Sequence, residues 1–421
     1  MSTALLLGSV WIFILLGLFL AMPRLVSRQW GTSLRFGWLV VISVALIARL
    51  APDLVLPMGA SYDIESYQIV SNLVLRGEDV YSSPKTEDRH PYLPFQMYWM
   101  AVARWSARTF HFPFVKIVRL APILADTAIA LFIYLNLRNP STGFTPLLGG
   151  LLYAVNPLTV YVSAYHGQFD AIPALMILLA LYELPRSSLK AGGWLGLGIL
   201  IKSWPILALP SLLTGTYGAK NKLTLLITAS FVVLTGIGLY ALLFDSSPVN
   251  ILIRTVGYNH GMGIWGYSYV SSMVSRFLPT YSGFHEWLVD IGRFITLTGL
   301  ALIFWFKARL ERPLAGILTI LLAFIAITHA FSIQYLMWVV PFAILEQEQR
   351  WLNRYTIGAF AYMFLAYTTL ILESHITNLL PWPQADLWII IPASIPAWLV
   401  SVGWLVQRLR AIGTNRPVGK A

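Results

Sequence analysis

Long apolar runs separated by short polar stretches dominate this chain, and few of them contain a charge. Unbroken blocks of this kind suit helices that cross a hydrocarbon layer, which needs about 17–25 mostly apolar residues per crossing. A membrane barrel would instead alternate apolar and polar positions, so strands are excluded as the main element. The pattern therefore predicts an all-α polytopic membrane protein. Basic residues collect in cytoplasmic loops, and threading the runs by that rule gives thirteen crossings. They lie near residues 4–22, 35–51, 119–137, 145–161, 170–184, 192–203, 204–215, 223–243, 287–306, 314–331, 335–346, 355–372 and 387–406. The threading places Arg24, Arg28 and Arg35 inside and the N-terminus outside. The basic loops at Arg138, Arg186 and Lys190, Lys220 and Lys222, Lys307–Arg312, Arg350 and Arg354, and Arg408–Lys420 also fall inside. The run Ala4–Leu20 lacks a basic leader and a small-residue cleavage site, so it reads as a retained helix.

Two stretches fit less simply. Tyr92–Phe110 carries Arg104 and Arg108, and is read as a short interfacial helix on the outer face. The runs on either side of Lys202 are each too short for a crossing, and Pro205 interrupts them. Such breaks are tolerated at membrane depth where they line a cavity. The chain shows no convincing internal repeat.

Composition narrows the chemistry. The chain is 57% hydrophobic and 11% charged, and has no cysteine. That excludes a disulfide framework, a thiolate nucleophile and a zinc–cysteine site. The net charge of +11 is accounted for by topology, not by a nucleic-acid surface, because no basic cluster with stacking aromatics stands on a soluble domain.

Against this background the polar segment Pro52–Pro91 stands out, since it holds seven of the eighteen acidic residues. Within it, Ser61-Tyr62-Asp63-Ile64-Glu65-Ser66-Tyr67-Gln68 carries an acid-x-acid pair beside a helix end. A reaction that removes a proton from a hydroxyl needs such a carboxylate. Further polar residues gather on the predicted outer side: Arg89 and His90, Arg119 and Asp126, His166, Gln168 and Asp170, Lys202, Arg254 and His260, Arg276 and Arg293, and His329 with Gln334 and Tyr335. Ionisable groups in or beside spans are costly, so they face a cavity or a partner. Carboxylates and several cations around one outer cavity describe a site for an anionic ligand with a hydroxyl-bearing co-substrate. Duller accounts stand beside this one. Asp63 and Glu65 can be solvated loop charges, Asp126 can pair with Arg119, Gln168 and Asp170 can cap the following helix, Lys202 can snorkel, and His329 can be a hydrogen-bonded core histidine.

The residues also carry a family resemblance. Tyr62-Asp63-Ile64-Glu65 with Tyr67-Gln68 and Arg76-Gly77-Glu78-Asp79-Val80-Tyr81 resembles the first lumenal loop of the GPI-anchor mannosyltransferases and their prokaryotic relatives, glycosyltransferases of the GT-C superfamily. His90-Pro91-Tyr92-Leu93-Pro94, Asn156-Pro157-Leu158, His166-Gly167-Gln168-Phe169-Asp170, Gly196-Leu197-Gly198 with Lys202, and Phe331-Ser332-Ile333-Gln334-Tyr335 with Trp338 and Pro341 are similar to later stations of the same pattern, in order. The chain departs from the pattern in having Asp-x-Glu for Asp-x-Asp and an additional preceding helix.

The resemblance implies a GT-C-like bundle in three parts: residues 1–34, an extra helix and basic inner loop; 35–345, the catalytic module; and 346–421, C-terminal helices and a basic tail. It implies a polyprenyl-phosphate-linked sugar donor, with mannose favoured, a lipid or glycan acceptor, and inversion at the anomeric carbon. In that chemistry Asp63 is the candidate base, and Glu65 would hold an acceptor hydroxyl or a divalent cation, Mg or Mn. Lys202, Arg254, Arg276 and Arg293 would stabilise the leaving phosphate, and His90 would orient Asp63 or the phosphate. Asp126, His166, Gln168, Asp170, His260, His329, Gln334 and Tyr335 complete the candidate substrate-binding set. The expected location is a prokaryotic plasma membrane with the site on the outer face, amid membrane lipids and without nucleic acid. A transporter or lipid-sugar flippase is the alternative, followed by a scaffold of a cell-envelope complex.

Overall fold

Apolar runs bounded by proline and polar residues become helices throughout the computed structural model, which describes residues 3–26, 36–56, 61–137, 145–257, 263–376 and 386–411. Five helices among these are long and apolar enough to cross a membrane: Leu6–Leu25, Gly37–Val55, Phe114–Asn136, Ala219–Phe244 and Trp388–Arg410. Two bent pairs, Pro146–Ala154 with Pro157–His166 (46°) and Pro279–Asp290 with Gly292–Leu310 (54°), raise the count to seven if each is one span. The other apolar helices, including Ala171–Glu183, Ser188–Ile201 and Pro313–Ile327, run only 10–17 residues. Length and composition thus support a polytopic membrane protein with five to seven crossings among the described residues. The thirteen predicted from hydropathy include segments too short to cross unaided.

One large apolar core runs through the bundle, from Ile12 and Phe19 in the first helix to Trp404 and Leu405 in the last. The first helix is part of it: Phe13 packs on Phe360 and Phe364, and Trp11 donates to the Ala48 carbonyl. A second core forms where the polar segment after Leu56 folds. Ile64, Tyr67, Val70 and Leu73 recur every third residue along the helix Ser61–Leu75, which gives it one apolar face. That face packs with Met97, Met100 and Ala103 of the helix Gln96–Thr109, and with Phe169, Leu200 and Ile201. The packing brings the start of the helix, with its acid pair, beside the Phe169–Asp170 and Ile201–Lys202 junctions. The only strands among the described residues are Gly263–Ile264 and Ala330–Phe331, paired antiparallel.

Small residues allow one close helix contact. A Cβ on Gly192 would stand 2.5 Å from the Leu225 carbonyl oxygen, and one on Gly196 2.7 Å from that of Ala229. These glycines are four apart on one face of Ser188–Ile201 and let Ala219–Phe244 approach backbone to backbone, as small residues do in membranes. Gly196→Leu should therefore cost about 1–3 kcal/mol of stability through overpacking, read as a lower Tm in detergent. Gly193→Ala, with nothing within 4 Å of the added carbon, should not lower it.

Two ion pairs buried in the bundle replace the pairing expected from spacing. Asp126 does not pair with Arg119. Its Oδ2 accepts from Arg49 Nε at 3.0 Å and its Oδ1 from the Tyr153 hydroxyl at 2.5 Å. Arg119 instead reaches Asp53 at 3.3 Å. The reason is that the second helix continues through Pro52 to Val55, past the predicted end at residue 51, so that Arg49 and Asp53 lie one turn apart on one face. Antiparallel packing then sets them against Asp126 and Arg119. At the end of the chain Arg408 pairs with Glu348 and, at 3.3 Å, with Glu311, and donates to Thr319 Oγ1 at 2.8 Å. This network fastens the helix Ile395–Arg410 to the bundle.

Candidate active site

Three chain breaks build the site. The first is the entry to the helix Ser61–Leu75, where Asp63 lies in the first turn and the helix N-terminus favours a negative charge. The second follows Asn156, whose side chain caps the turn by accepting from Leu158 N at 3.0 Å. The short helix Pro157–Val160 widens into a π-turn over Tyr161–His166 and stops at Gly167, whose φ of +85° is left-handed. Such π-turns recur at functional sites because they re-aim side chains. A side chain at Gly167 would be strained and would meet Arg119 Cγ at 3.2 Å. Arg119, held by Asp53, also donates to the Tyr165 carbonyl, so the buried pair braces this turn. The third break is the end of Ser188–Ile201, where Lys202 is extended (φ −147°, ψ 143°).

The side chains from these breaks form one hydrogen-bonded cluster. Asp63 Oδ2 receives His166 Nε2 at 2.6 Å and Gln168 Nε2 at 2.8 Å. His166 Nδ1 is 3.1 Å from the Tyr367 hydroxyl. Gln168 Oε1 accepts from Lys202 Nζ at 2.7 Å, and the same ammonium donates to Asp170 Oδ2 at 2.6 Å. Trp338 Nε1 donates to Asp170 Oδ1 at 2.8 Å, with its ring stacked on Trp204 at 4.5 Å. Lys202 also lies over the Tyr92 ring. The Asp63 side chain is 30% exposed, whereas those of His166, Lys202 and Asp170 are 7%, 5% and 0% exposed. Asp63 is thus the member of the cluster that an incoming ligand can reach.

Burial alone would raise the Asp63 pKa. The hydrogen bonds from His166 and Gln168, with the charge on Lys202, outweigh it and hold the carboxyl below the usual carboxylate range. Tyr67 and Tyr92 move the other way, pushed well up by burial and by the carboxylates of Asp63 and Asp170. The Tyr67 hydroxyl is buried with no hydrogen-bond partner among the described residues.

The remaining candidates lie in other settings. Glu65 is 60% exposed and pairs with Arg89 at 3.2 Å. Two positions along a helix turn a side chain by about 200°, so Asp63 and Glu65 diverge, Asp63 toward His166 and Gln168 and Glu65 toward Arg89. No three His, Asp or Glu residues gather as a metal-binding group among the described residues. The sequence suggested a cation held through Glu65, but that carboxylate is turned to Arg89. His90 is packed between Tyr81 and Tyr92, and burial pushes its pKa down to about 3. Asp126 belongs to the Arg49 network. Arg254 bonds the Tyr81 carbonyl at 3.2 Å and Glu87 at 3.4 Å. Arg276 is exposed in the last turn of Tyr267–Phe277. Arg293 is exposed and its charge acts on half-buried His329. Buried Gln334 accepts from Ser332 Oγ at 2.5 Å, and Tyr335 packs on Trp338 at 4.3 Å. His260 lies outside the described residues.

The duller accounts of two members do not hold. Asp170 stands at the cap position of Ala171–Glu183 but makes no capping bond, and Lys202 is paired within the protein instead of snorkelling. Sequence reasoning missed Tyr367 as a member, as well as the bracing role of Asp53. Asp53 and Arg49, spaced i and i+4 in a span, were the available signal for the buried pairs. Tyr367 lies in an apolar run with nothing to mark it.

Residues 92–332, more than half of the chain, match the model of glycosyltransferase family 87. No curated protein matches the chain. The matched region contains His166, Gln168, Asp170 and Lys202 and begins after Asp63.

Proposed function

Since the chain belongs to glycosyltransferase family 87 and is a multi-pass membrane glycosyltransferase, we propose that it moves a sugar, mannose in the first instance, from a polyprenyl-phosphate donor to an acceptor hydroxyl with inversion. Asp63 is the general base. The observation that carries this reading is its geometry: a carboxylate held by two donors at the accessible rim of a buried polar cluster.

The step needs little else from the protein. The acceptor oxygen attacks the anomeric carbon from the face opposite the phosphate while Asp63 takes its proton. The bond to phosphate breaks, and the lipid phosphate leaves with the electron pair. A glycosidase must protonate its leaving oxygen, whereas a phosphate leaves as an anion and needs only positive charge nearby. Lys202 is the cation within the cluster. Arg254, Arg276 and Arg293 are the other candidates for the phosphate, Arg offering a fork for its oxygens. Gln168 holds Asp63 and is itself held by Lys202, which pairs with Asp170.

We place the site at the outer face of a prokaryotic plasma membrane, with a lipid or glycan acceptor. The test uses sealed vesicles of both orientations and two labelled donors, polyprenyl-phosphate mannose and a nucleotide-linked mannose. Transfer from the lipid-linked donor, only when it is presented on the outer leaflet, is expected. Transfer from the nucleotide sugar, or from the inner side, would overturn the donor or the sidedness.

A further inference from the structure

Both hydrogen bonds to Asp63 fall on one oxygen. His166 and Gln168 converge on Oδ2, and among the described residues Oδ1 accepts none. A carboxylate in the first turn of a helix is free to rotate about its side-chain bonds, so this asymmetry is imposed by the donors. His166 is itself fixed. It ends the π-turn before Gly167, its ring packs edge-on against Tyr367 at 5.7 Å, and Nδ1 meets the Tyr367 hydroxyl. The contact of Nε2 with the Asp63 carboxylate needs a proton on Nε2, and the Nδ1 contact with the Tyr367 hydroxyl holds the ring so that this proton points at Asp63.

We propose that His166, backed by Tyr367, is a positioning residue for Asp63: by occupying Oδ2 it leaves Oδ1 as the oxygen that takes the acceptor's proton. The inference rests on Asp63 being the base, and assigns the chain a Tyr–His–Asp relay in which the histidine orients the base and does not touch substrate. The same bond favours the ionised carboxylate. The other groups that interact with Asp63 are Lys202, which favours its charge, and the hydroxyls of Tyr92 and Tyr367, with Tyr62 and Tyr67 on its own helix. None of these donates to Oδ2, whereas His166 and Gln168 do. Removing the His166 donor should raise the pKa of Asp63. The rate should then begin to fall at a higher pH as the solution is acidified.

The test is the pH dependence of transfer by the full-length protein in lipid nanodiscs, with polyprenyl-phosphate mannose as donor and a membrane lipid extract as acceptor. His166→Asn cannot place a donor where Nε2 stands. It should lower kcat by up to about 100-fold, the cost of a misplaced base, with the donor KM little changed, and should move the acid limb to higher pH. His166→Gln, whose amide nitrogen reaches the Nε2 position, should recover part of both. Tyr367→Phe should move the acid limb in the same direction by less.

A raised KM with an unmoved acid limb would make His166 a substrate ligand and overturn the proposal. So would a wild-type rate and acid limb in His166→Asn, provided that Asp63→Asn is inactive in the same assay. If Asp63→Asn transfers normally, it is the base reading that fails, and the relay with it. Should His166→Asn fail to fold, His166→Gln and Tyr367→Phe decide, and wild-type acid limbs in both would overturn the proposal.

Discussion

Asp63→Asn is expected to lower sugar transfer by about 100- to 10,000-fold, the range a general base contributes, with the protein still folded. The amide has the shape of the carboxylate and can still accept a hydrogen bond from His166 or Gln168, but it cannot take a proton from the acceptor. What activity remains would come from holding donor and acceptor together. The measurement is initial rate at saturating donor, with a thermal unfolding trace of the same sample. The two readouts separate roles, because a structural Asp63 would show its loss in Tm and a basic one in rate. Glu65→Gln should cost far less, since Glu65 is turned outward to Arg89.

Arg49→Met should have the largest effect on stability. Arg49 and Asp126 are fully buried, and Arg49 also donates to the Ala154 carbonyl at 2.9 Å and Thr159 Oγ1 at 3.0 Å. Breaking a buried pair from one side leaves a charge without a partner and costs about 3–5 kcal/mol. A clear drop in Tm in detergent is expected. The double variant Arg49→Met with Asp126→Leu should recover part of the loss, because replacing both charges by apolar groups can be close to neutral. A double variant less stable than Arg49→Met alone would show that the pair matters for something beyond its mutual neutralisation.

Much of the fold could be read from the runs of apolar residues, because a helix in a membrane satisfies its own backbone and its extent follows from local sequence. The helix Ala219–Phe244, predicted at 223–243, is one such case. What hydropathy could not supply is which short apolar segments cross and which stop within the bundle. That depends on neighbours such as the close partner of Gly192 and Gly196. The ends of helices were also misread where charge stays buried. Asp53 looked like the start of a polar loop because its partner, Arg119, is 66 residues away.

The cluster itself was partly legible. Asp63, His166, Gln168, Asp170 and Lys202 were all candidates, and the structure brings them into one hydrogen-bonded group. Two acids one residue apart suggest a shared site in the sequence, and the helical rotation between Asp63 and Glu65 separates them. Tyr367 was invisible for a different reason. It contacts His166 across 201 residues of sequence, and a tyrosine in an apolar run otherwise reads as a membrane-interface residue.

The most direct test of Asp63 as the base is transfer of radiolabelled mannose from its polyprenyl-phosphate donor to a membrane-lipid acceptor by wild type and Asp63→Asn, side by side in nanodiscs. Wild type should give a new labelled product, and Asp63→Asn at most about a hundredth of it. Equal product from both proteins would remove Asp63 from the chemistry, and no product from either, with other sugars tried in place of mannose, would contradict the donor class.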